Sequence, residues 1–297
     1  MAEANDESGG SVGIVRIMWP GRRPAVFRFG VLRRPPTLRV GLALALLLLL
    51  AGCGGGGYTW AWYILIPTTA EGRINLFYML RGFELTVILA ALSFTFGSAI
   101  GLFLAILRRS HSRGLRVFVA TYISVVRAIP TFVLLLWIYY ALPVLVQSLP
   151  SEIQNLPGIY ELTHLTPLSA ATLTLALSAG AFMSEIFRAG IEGVPRGHME
   201  AALSLGMSRA QMMRRIVLPQ ATRRMLPPTA SQFIQTIKDS SLASTIGLQE
   251  LTRRASELQV QTYRPLEIYT LLALEYLVVV LALSYVAHVI ERRTQID

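Results

Sequence analysis

Long stretches without a charged residue constrain this chain more than any other feature of its sequence. No Asp, Glu, Lys or Arg occurs from Val40 to Ala70, and Leu85 to Leu107 forms a second uncharged run, of 23 residues. An α-helix rises about 1.5 Å per residue, so about 20 apolar residues cross the hydrocarbon core of a bilayer. The chain is 53% hydrophobic and 15% charged, whereas soluble domains are about one-quarter charged. These features indicate a membrane protein.

Six membrane-spanning helices are predicted from the apolar runs and from the charges that close them. The third run is interrupted by Arg127 and Pro130, but its part from Ala128 to Val146 is long enough to cross alone. The fifth run is rich in Ser, Thr and Gln, which indicates packing against protein and not against lipid. The predicted fold class is an all-α membrane protein with one N-terminal span and five core spans. The six spans cover residues 40–70, 85–107, 117–146, 167–187, 225–249 and 268–290.

The distribution of arginine indicates how these spans are oriented. The net charge is +10 and the pI is about 10.2, values that would suggest nucleic-acid binding in a soluble protein. Here the arginines cluster in residues 1–37, 108–116 and 188–224, which places these segments in the cytoplasm and predicts no nucleic-acid partner. Both termini are then cytoplasmic. Residues 250–264 are predicted to lie outside although they contain three arginines. An aromatic belt marks the same outer side, formed by Tyr58, Trp60, Trp62 and Tyr63.

The single cysteine, Cys53, leaves one alternative open at the amino end. A basic stretch from Arg33, a leucine-rich run and the sequence Leu-Ala-Gly-Cys resemble a lipoprotein signal peptide, which would be cleaved before Cys53. Against cleavage, the basic leader is long and the apolar stretch continues past Cys53. One cysteine also excludes an internal disulfide and gives no metal cluster. The five core spans are the same in either case.

A fixed spacing of acidic, small and aliphatic residues lies between His198 and Pro219. The chain reads His-Met-Glu-Ala-Ala-Leu-Ser-Leu-Gly, then nine residues, then Ile-Val-Leu-Pro. Two adjacent alanines let a short helix lie close to a partner, and Gly206 allows a sharp turn. A second short helix from Ser208 to about Val217, stopped by Pro219, would complete a helix-turn-helix knob. The alternative is an ordinary basic loop. The residues of the spacing are Glu200, Ala201, Ala202, Gly206, Ile216, Leu218 and Pro219.

These seven positions resemble the cytoplasmic loop of permease subunits of binding-protein-dependent ABC importers. Residues 122–130, 180–191 and 237–244 resemble the amino-acid permeases of the histidine, glutamine, glutamate, arginine and opine class. Many of those relatives have Gly-Thr where Ala128 and Ile129 stand, and Gln where His198 stands. The resemblance implies the transmembrane domain of a type I ABC importer. It covers a permease domain at 75–293 with an ATPase-docking loop at 188–224. Outside it lie a basic cytoplasmic tail at 1–37, expected to be disordered from its polar, Gly- and Pro-bearing sequence, and an extra N-terminal span at 38–70.

The resemblance also implies the partners of this chain. A cytoplasmic ABC ATPase dimer would bind Mg-ATP and dock on the knob, so this chain would need no cofactor of its own and would not be an enzyme. A periplasmic amino-acid-binding protein would deliver a polar amino acid to the outer side. A second permease, identical or homologous, would complete the pathway in the lipid bilayer of the bacterial inner membrane.

Two charges at the middle of the fifth predicted span are the main candidates for contact with substrate. Thirteen uncharged residues precede Lys238 and Asp239, and ten follow them. Charges at this depth are costly, so they are normally paired or face a cavity. A permeant amino acid needs a cation for its carboxylate and an anion for its ammonium group, and Ser240, Ser241 and Ser244 add hydroxyls. The alternative is a structural ion pair that locks this helix to a neighbour.

Three more charged residues lie in or near the spans. Glu185 is within helical reach of Arg188, and Arg188 reaches Glu192, which favours an ion-pair ladder over contact with substrate. Arg127 either snorkels to the inner interface or takes part in the pathway. Glu275 needs a partner or a wet surface.

Other function classes find less support in the sequence. It contains no phosphate-binding loop, no zinc-ligand spacing and no nucleophile elbow. An ion-coupled secondary transporter would account for the buried charges but leaves the Glu200 to Pro219 spacing unexplained. A lipoprotein or signalling subunit built around Cys53 is a second alternative.

Overall fold

The computed structural model describes residues 14–17, 25–28 and 58–294. The chain forms two compact units, Met1–Trp60 and Ala61–Asp297. In the first unit, strands β1 (Ile14–Ile17) and β2 (Ala25–Arg28) pair antiparallel, with Val15 opposite Phe27. This pair is a departure from the expected tail without secondary structure. Cys53 and most of the first predicted span lie outside the described residues.

The chain from residue 58 to residue 69 is not α-helical, so the first predicted span does not continue to residue 70. It contains only a 3₁₀ turn at Trp62–Ile64. The chain turns at Pro67, which has no backbone N–H to donate. A hydrogen bond of 2.7 Å from Thr69 Oγ1 to the Tyr63 carbonyl closes the turn. Thr69 also accepts from the Gly72 N–H and so caps the next helix.

Helix α1 (Ala70–Leu107) is the longest element of the second unit, with 38 residues. At 1.5 Å per residue it is about 57 Å long, well beyond the roughly 30 Å of a bilayer core. The predicted span 85–107 forms its carboxyl-terminal part. The other helices are α2 (Arg113–Ala128), α3 (Thr131–Leu136), α4 (Leu142–Gln147), α5 (Ser151–Gln154), α6 (Ile159–Thr163), α7 (Pro167–Glu192), α8 (Arg196–Ser204), α9 (Arg209–Met212), α10 (Leu218–Ser240), α11 (Leu251–Thr262) and α12 (Pro265–Thr294).

Three of the described helices, α1, α7 and α12, are long and apolar enough to cross a membrane. Helix α2 and its continuation to Gln147 also qualify together, but they bend by 104° at the break. The bend follows from Pro130, since the residue before a proline avoids the α conformation and Ile129 is extended. Helix α10 has 23 residues and corresponds to the fifth predicted span. It is too polar to count among the helices that are apolar enough to cross a membrane. The all-α architecture is confirmed for residues 58–294.

Helices α1 and α7 lie parallel and in close contact, and small residues make this possible. An ideal Cβ at Gly97 would lie 2.8 Å from the Ala179 Cβ, and one at Gly101 would lie 2.9 Å from the Gly180 carbonyl oxygen. The contacts advance together along both helices, which shows that they run in the same direction. Small residues one helical turn apart let two backbones approach each other in this way. The parallel arrangement agrees with the predicted topology, in which both spans cross inward.

A buried carboxylate joins three helices near the beginning of α11. Glu250 is fully buried and caps α11, accepting from the backbone N–H groups of Thr252 (3.0 Å) and Arg253 (2.8 Å). It also accepts from Thr86 of α1 at 3.4 Å and from the Tyr276 hydroxyl of α12 at 3.3 Å. Burial raises the pKa of Glu250 to about 7, against the opposite effect of these hydrogen bonds.

We expect the unit to become less stable as the pH rises from about 4.5 to about 7. In this window the folded state keeps the Glu250 proton and the unfolded chain has lost it. Each pKa unit corresponds to about 1.4 kcal/mol. Melting temperatures in detergent at pH 5.5 and pH 8 should therefore differ less for Glu250→Gln than for the wild type. Glu257→Gln is the control, because the Tyr78 hydroxyl lowers the pKa of Glu257. An unchanged pH dependence in Glu250→Gln would refute this assignment.

Candidate functional site

The knob predicted between His198 and Pro219 is present as two short helices joined by a turn. Helix α8 ends at Ser204, and Gly206 adopts a left-handed conformation with φ of 75°. A side chain at this φ would be strained, which explains the glycine. Ala202 is 1% exposed and packs inward, whereas Glu200 and Ala201 are exposed. The outer face of α8 therefore presents the acidic residue and one of the two alanines.

The prediction that Pro219 stops the second helix of the knob is wrong. Helix α9 runs into a π turn at Met213–Val217 and then directly into α10, with Pro219 in its first turn. Within a continuous helix a proline leaves one carbonyl of the preceding turn without its N–H donor. The wider hydrogen-bonding ring of the π turn accommodates the break in the α pattern. The knob is therefore continuous with a long helix that corresponds to a predicted span.

The base of the knob is a small apolar core. Val194, Val217, Ala221 and Met225 are buried together, and further methionines pack against them. His198 Nδ1 lies 3.0 Å from Gln220 Oε1 and joins α8 to α10. Helix α9 begins with a capping box, in which Ser208 and Gln211 exchange backbone-to-side-chain hydrogen bonds. These contacts hold α8 and α9 against the carboxyl end of α7 and the amino end of α10.

Two exposed leucines at the tip of the knob were missed in the sequence analysis. Leu205 is 81% exposed and Leu203 is 47% exposed, beside Glu200. Together these two leucines place apolar surface next to the acidic residue at the tip. Leu218, one residue of the spacing, is also exposed, and Ile216 is half-buried.

Lys238 and Asp239 do not form a salt bridge, although they are adjacent near the end of α10. Lys238 is exposed and lines a groove of about 430 Å³ between α10 and α12, together with Ser241, Ala273, Tyr276, Leu277 and Val280. Asp239 is half-buried and accepts from Gln235 Nε2 at 2.8 Å. An α-helix turns by about 100° per residue, so neighbours point in different directions. Neither charge neutralises the other, so each can interact with a group of opposite charge.

The serines near Lys238 donate to backbone carbonyls three residues earlier. Ser240 ends α10, and Ser241 and Ser244 lie in the 3₁₀ turn Ser241–Ile246 that follows it. The Ser240 hydroxyl donates to the Ile237 carbonyl, that of Ser241 to Lys238 and that of Ser244 to Ser241, each over 2.7 Å. Ser240 is buried, whereas Ser241 and Ser244 are half-buried. The oxygen lone pairs remain able to accept hydrogen bonds.

Arg127 lies in the last turn of α2, next to the bend at Pro130. Its guanidinium stands 5.0 Å from the centre of the Phe182 ring of α7, within the range of a cation–π contact. Thr131 and Ser178 share a hydrogen bond close by, at 3.3 Å. The described contacts of Arg127 are therefore with α7, whereas the groove at Lys238 lies against α12. The structure does not bring these two candidate residues together.

Glu185 accepts hydrogen bonds from two arginines near the carboxyl end of α7. Arg188 donates from Nε and Nη2 to Glu185 Oε2 at 3.0 and 2.6 Å, and from Nη1 to Glu192 at 2.5 Å. Both contacts of the expected ladder are present. The second arginine, Arg108 of α1, donates to Glu185 Oε1 and was missed, because sequence spacing does not reveal contacts between helices. The carboxylate thus ties α7 to α1.

Glu275 lies in α12 with its Oε2 atom buried and without a hydrogen-bond partner among the described residues. The sequence alone does not distinguish a partner from a wet surface for this side chain. A buried carboxylate oxygen with no donor is costly if ionised.

Comparisons with known proteins place this arrangement in a family. The family described as binding-protein-dependent transport system inner membrane component matches residues 97–296. The glutamine transport system permease protein of Escherichia coli strain K12 is 36% identical over 219 residues, covering 73% of this chain and 93% of that protein. The L-cystine transport system permease protein of Bacillus subtilis strain 168 is 38% identical over 213 residues, covering 71% and 84%.

A solved structure supports the same assignment. The crystal structure of an amino acid ABC transporter with histidines has a TM-score of 0.68 and 32% sequence identity, and it covers 80% of this chain and 100% of that one. An inward-facing methionine ABC transporter shares the fold at a TM-score of 0.58 and 19% identity. The glutamine and cystine permeases are matched over most of their length. The residues matched by the family, 97–296, include the whole knob. The chain therefore belongs to the family of inner-membrane permease components of binding-protein-dependent ABC transport systems.

Proposed function

We propose that this chain is the permease subunit of an ATP-driven importer of polar amino acids. Family membership supports the permease role, and relatives named for glutamine and cystine transport support the class of substrate. The observation that carries the coupling mechanism is the exposed tip of the knob, with Glu200, Leu203 and Leu205, on a packed base that continues into α10. Such a tip suits a groove on another protein.

In this proposal the knob docks on a cytoplasmic ATPase dimer, which binds Mg-ATP and carries out all of the catalysis. Two permeases, identical or homologous, form the pathway in the inner membrane, with both termini of this chain in the cytoplasm. A periplasmic binding protein delivers the amino acid to the outer side. Closure of the two ATPases moves the knobs and alternates access to a site near the midplane.

The proposed substrate contacts follow from the separated charges of α10. Lys238, exposed in its groove and without a salt bridge, offers a cation to the substrate carboxylate. Asp239 offers an anion to the ammonium group, and the serine oxygens accept further hydrogen bonds. Arg127 at the bend beside Pro130 is a second candidate cation of the pathway. Glu185 holds both of its arginines, so its proposed role in the pathway is secondary to its role as an ion-pair partner.

Proteoliposomes test the proposal directly. They would contain the full chain with its partner permease and ATPase, with the binding protein and radiolabelled glutamine or cystine outside. We expect uptake only with ATP inside the vesicles. Uptake driven by an ion gradient without ATP would instead favour the secondary transporter.

Lys238→Met is expected to raise the half-saturating concentration for uptake about 10- to 100-fold, or to leave ATP hydrolysis without uptake. The physical reason is the loss of one charge-assisted hydrogen bond to the substrate. Lys238→Arg is the matched control, because it keeps the charge in the same groove and should retain most of the activity. Uptake and hydrolysis that are both unchanged in Lys238→Met would show that the residue does not contact substrate.

A further inference from the structure

A cavity of about 400 Å³ opens at the carboxyl ends of α1 and α7, beside the base of the knob and apart from the groove at Lys238. Three arginines reach it from the points where the apolar parts of the two helices end. Its lining consists of Ala105, Arg108, Arg109, Arg188, Ile191 and Glu192. None of the transport steps described above uses this cavity.

The charges around the cavity do not cancel. Glu185 and Glu192 are the two carboxylates that pair with these arginines: Arg108 donates to Glu185, and Arg188 donates to both. Arg109 is exposed and forms no salt bridge in the part of the chain that the structure describes. Three guanidinium groups therefore face two carboxylates, and one positive charge is left over in a concave site.

The position of the cavity relates it to the lipid phase. One helical turn before Ala105, on the same face of α1, Leu102 is 52% exposed, and the uncharged run ends at Leu107. An exposed apolar side chain on a membrane helix faces lipid tails or another membrane helix. An apolar surface at Leu102 thus lies about one helical turn, roughly 5 Å, from a lining residue of the guanidinium cluster. This spacing suits the acyl chain and the phosphate of one phospholipid.

We propose that this cavity binds the phosphate of an anionic phospholipid, with Arg109 as the main donor and an acyl chain along Leu102. Arginine presents a planar fork of N–H groups that binds phosphate oxygens in pairs. Basic pockets at the ends of membrane helices are suited to acidic lipid headgroups. The single uncompensated charge matches the single negative charge of a phosphodiester. A zwitterionic phospholipid would bring its own cation close to Arg109.

Native mass spectrometry of the full chain, purified in mild detergent and titrated with phosphatidylglycerol, tests this site. We expect one tightly retained phosphatidylglycerol per permease, and about fivefold weaker retention in Arg109→Gln, since one basic residue near a membrane surface contributes about that factor. Arg109→Lys should recover most of the retention, because it keeps the charge. Arg113→Gln is the matched control, since Arg113 is exposed and nearby in sequence but does not line the cavity.

Three results would each overturn the proposal. Equal retention by Arg109→Gln and Arg113→Gln would show that the cavity does not select the lipid. Equal retention of phosphatidylcholine and phosphatidylglycerol by the wild type would remove the role of charge. Displacement of phosphatidylglycerol by millimolar inorganic phosphate would assign the site to a soluble anion. The measurement does not depend on transport, so its failure leaves the proposed function intact.

Discussion

Glu200→Arg is expected to reduce ATP-dependent uptake at least about 100-fold while the protein still inserts and folds. Glu200 is exposed on the outer face of α8, so the fold does not depend on its side chain. Among the described residues its carboxylate has no hydrogen-bond or ion-pair partner, and its backbone carbonyl accepts from the hydroxyl of Ser204. At a docked interface the reversed charge would face the groups that accommodate a carboxylate, and such a clash costs several kcal/mol. A cost of that size corresponds to a factor of 100 or more.

Two measurements separate coupling from folding. Co-purification of the tagged permease with its ATPase should fall in Glu200→Arg, while its elution from a size-exclusion column stays that of the folded protein. Glu161→Arg makes the same change of charge at an exposed position in α6, on the predicted outer side, and should leave ATPase binding intact. Normal ATPase binding by Glu200→Arg would count against the docking role of the knob.

Gly101→Val should prevent the accumulation of folded permease or lower its thermal stability markedly. The first new atom would lie 2.6 Å from the Met183 Cβ and 2.9 Å from the Gly180 carbonyl oxygen. Both belong to the helix that lies against α1, so relief requires the two helices to separate. Overpacking of this kind costs about 1–3 kcal/mol or more, and separation of the helices would also remove the contacts between the other small residues.

Gly114→Val provides the comparison for this substitution. It places the same side chain in another membrane-region helix, α2, where nothing lies within 4 Å of the new Cβ. Its melting temperature in detergent should stay close to that of the wild type, apart from a small effect of helix propensity. If the two variants had the same melting temperature, the close contact between α1 and α7 would not be important for stability.

The elements that sequence reasoning predicted well are those with a strong local signal. Uncharged runs located α1, α7 and α12, and the turn at Gly206 followed from the conformational freedom of glycine. The ladder from Glu185 to Arg188 and Glu192 followed from helical spacing alone. Each of these features depends on one continuous stretch of sequence, so its composition, its residue type or its helical spacing was sufficient.

The features that were missed depend on contacts between distant segments or on unusual backbone geometry. The ion pair of Arg108 with Glu185 joins residues 77 apart. It could have been anticipated only by placing the ends of two parallel spans at the same depth. The π turn that carries the chain past Pro219 leaves no mark that a rule for helix termination would detect. The different surroundings of Lys238 and Asp239 likewise depend on which helices pack around α10.

The continuity of the knob with its neighbouring helices has a mechanical consequence. Only Gly193, Val194 and Pro195 separate α7 from α8, and no break separates α9 from α10. In the proposed coupling, a force on the tip is therefore transmitted directly into α7 and α10, and α1 moves with α7 because of their glycine contacts. The pliable joints must then lie at the far ends of these helices. We expect one of them at Gly247, which follows the far end of α10 and has a φ of 85°.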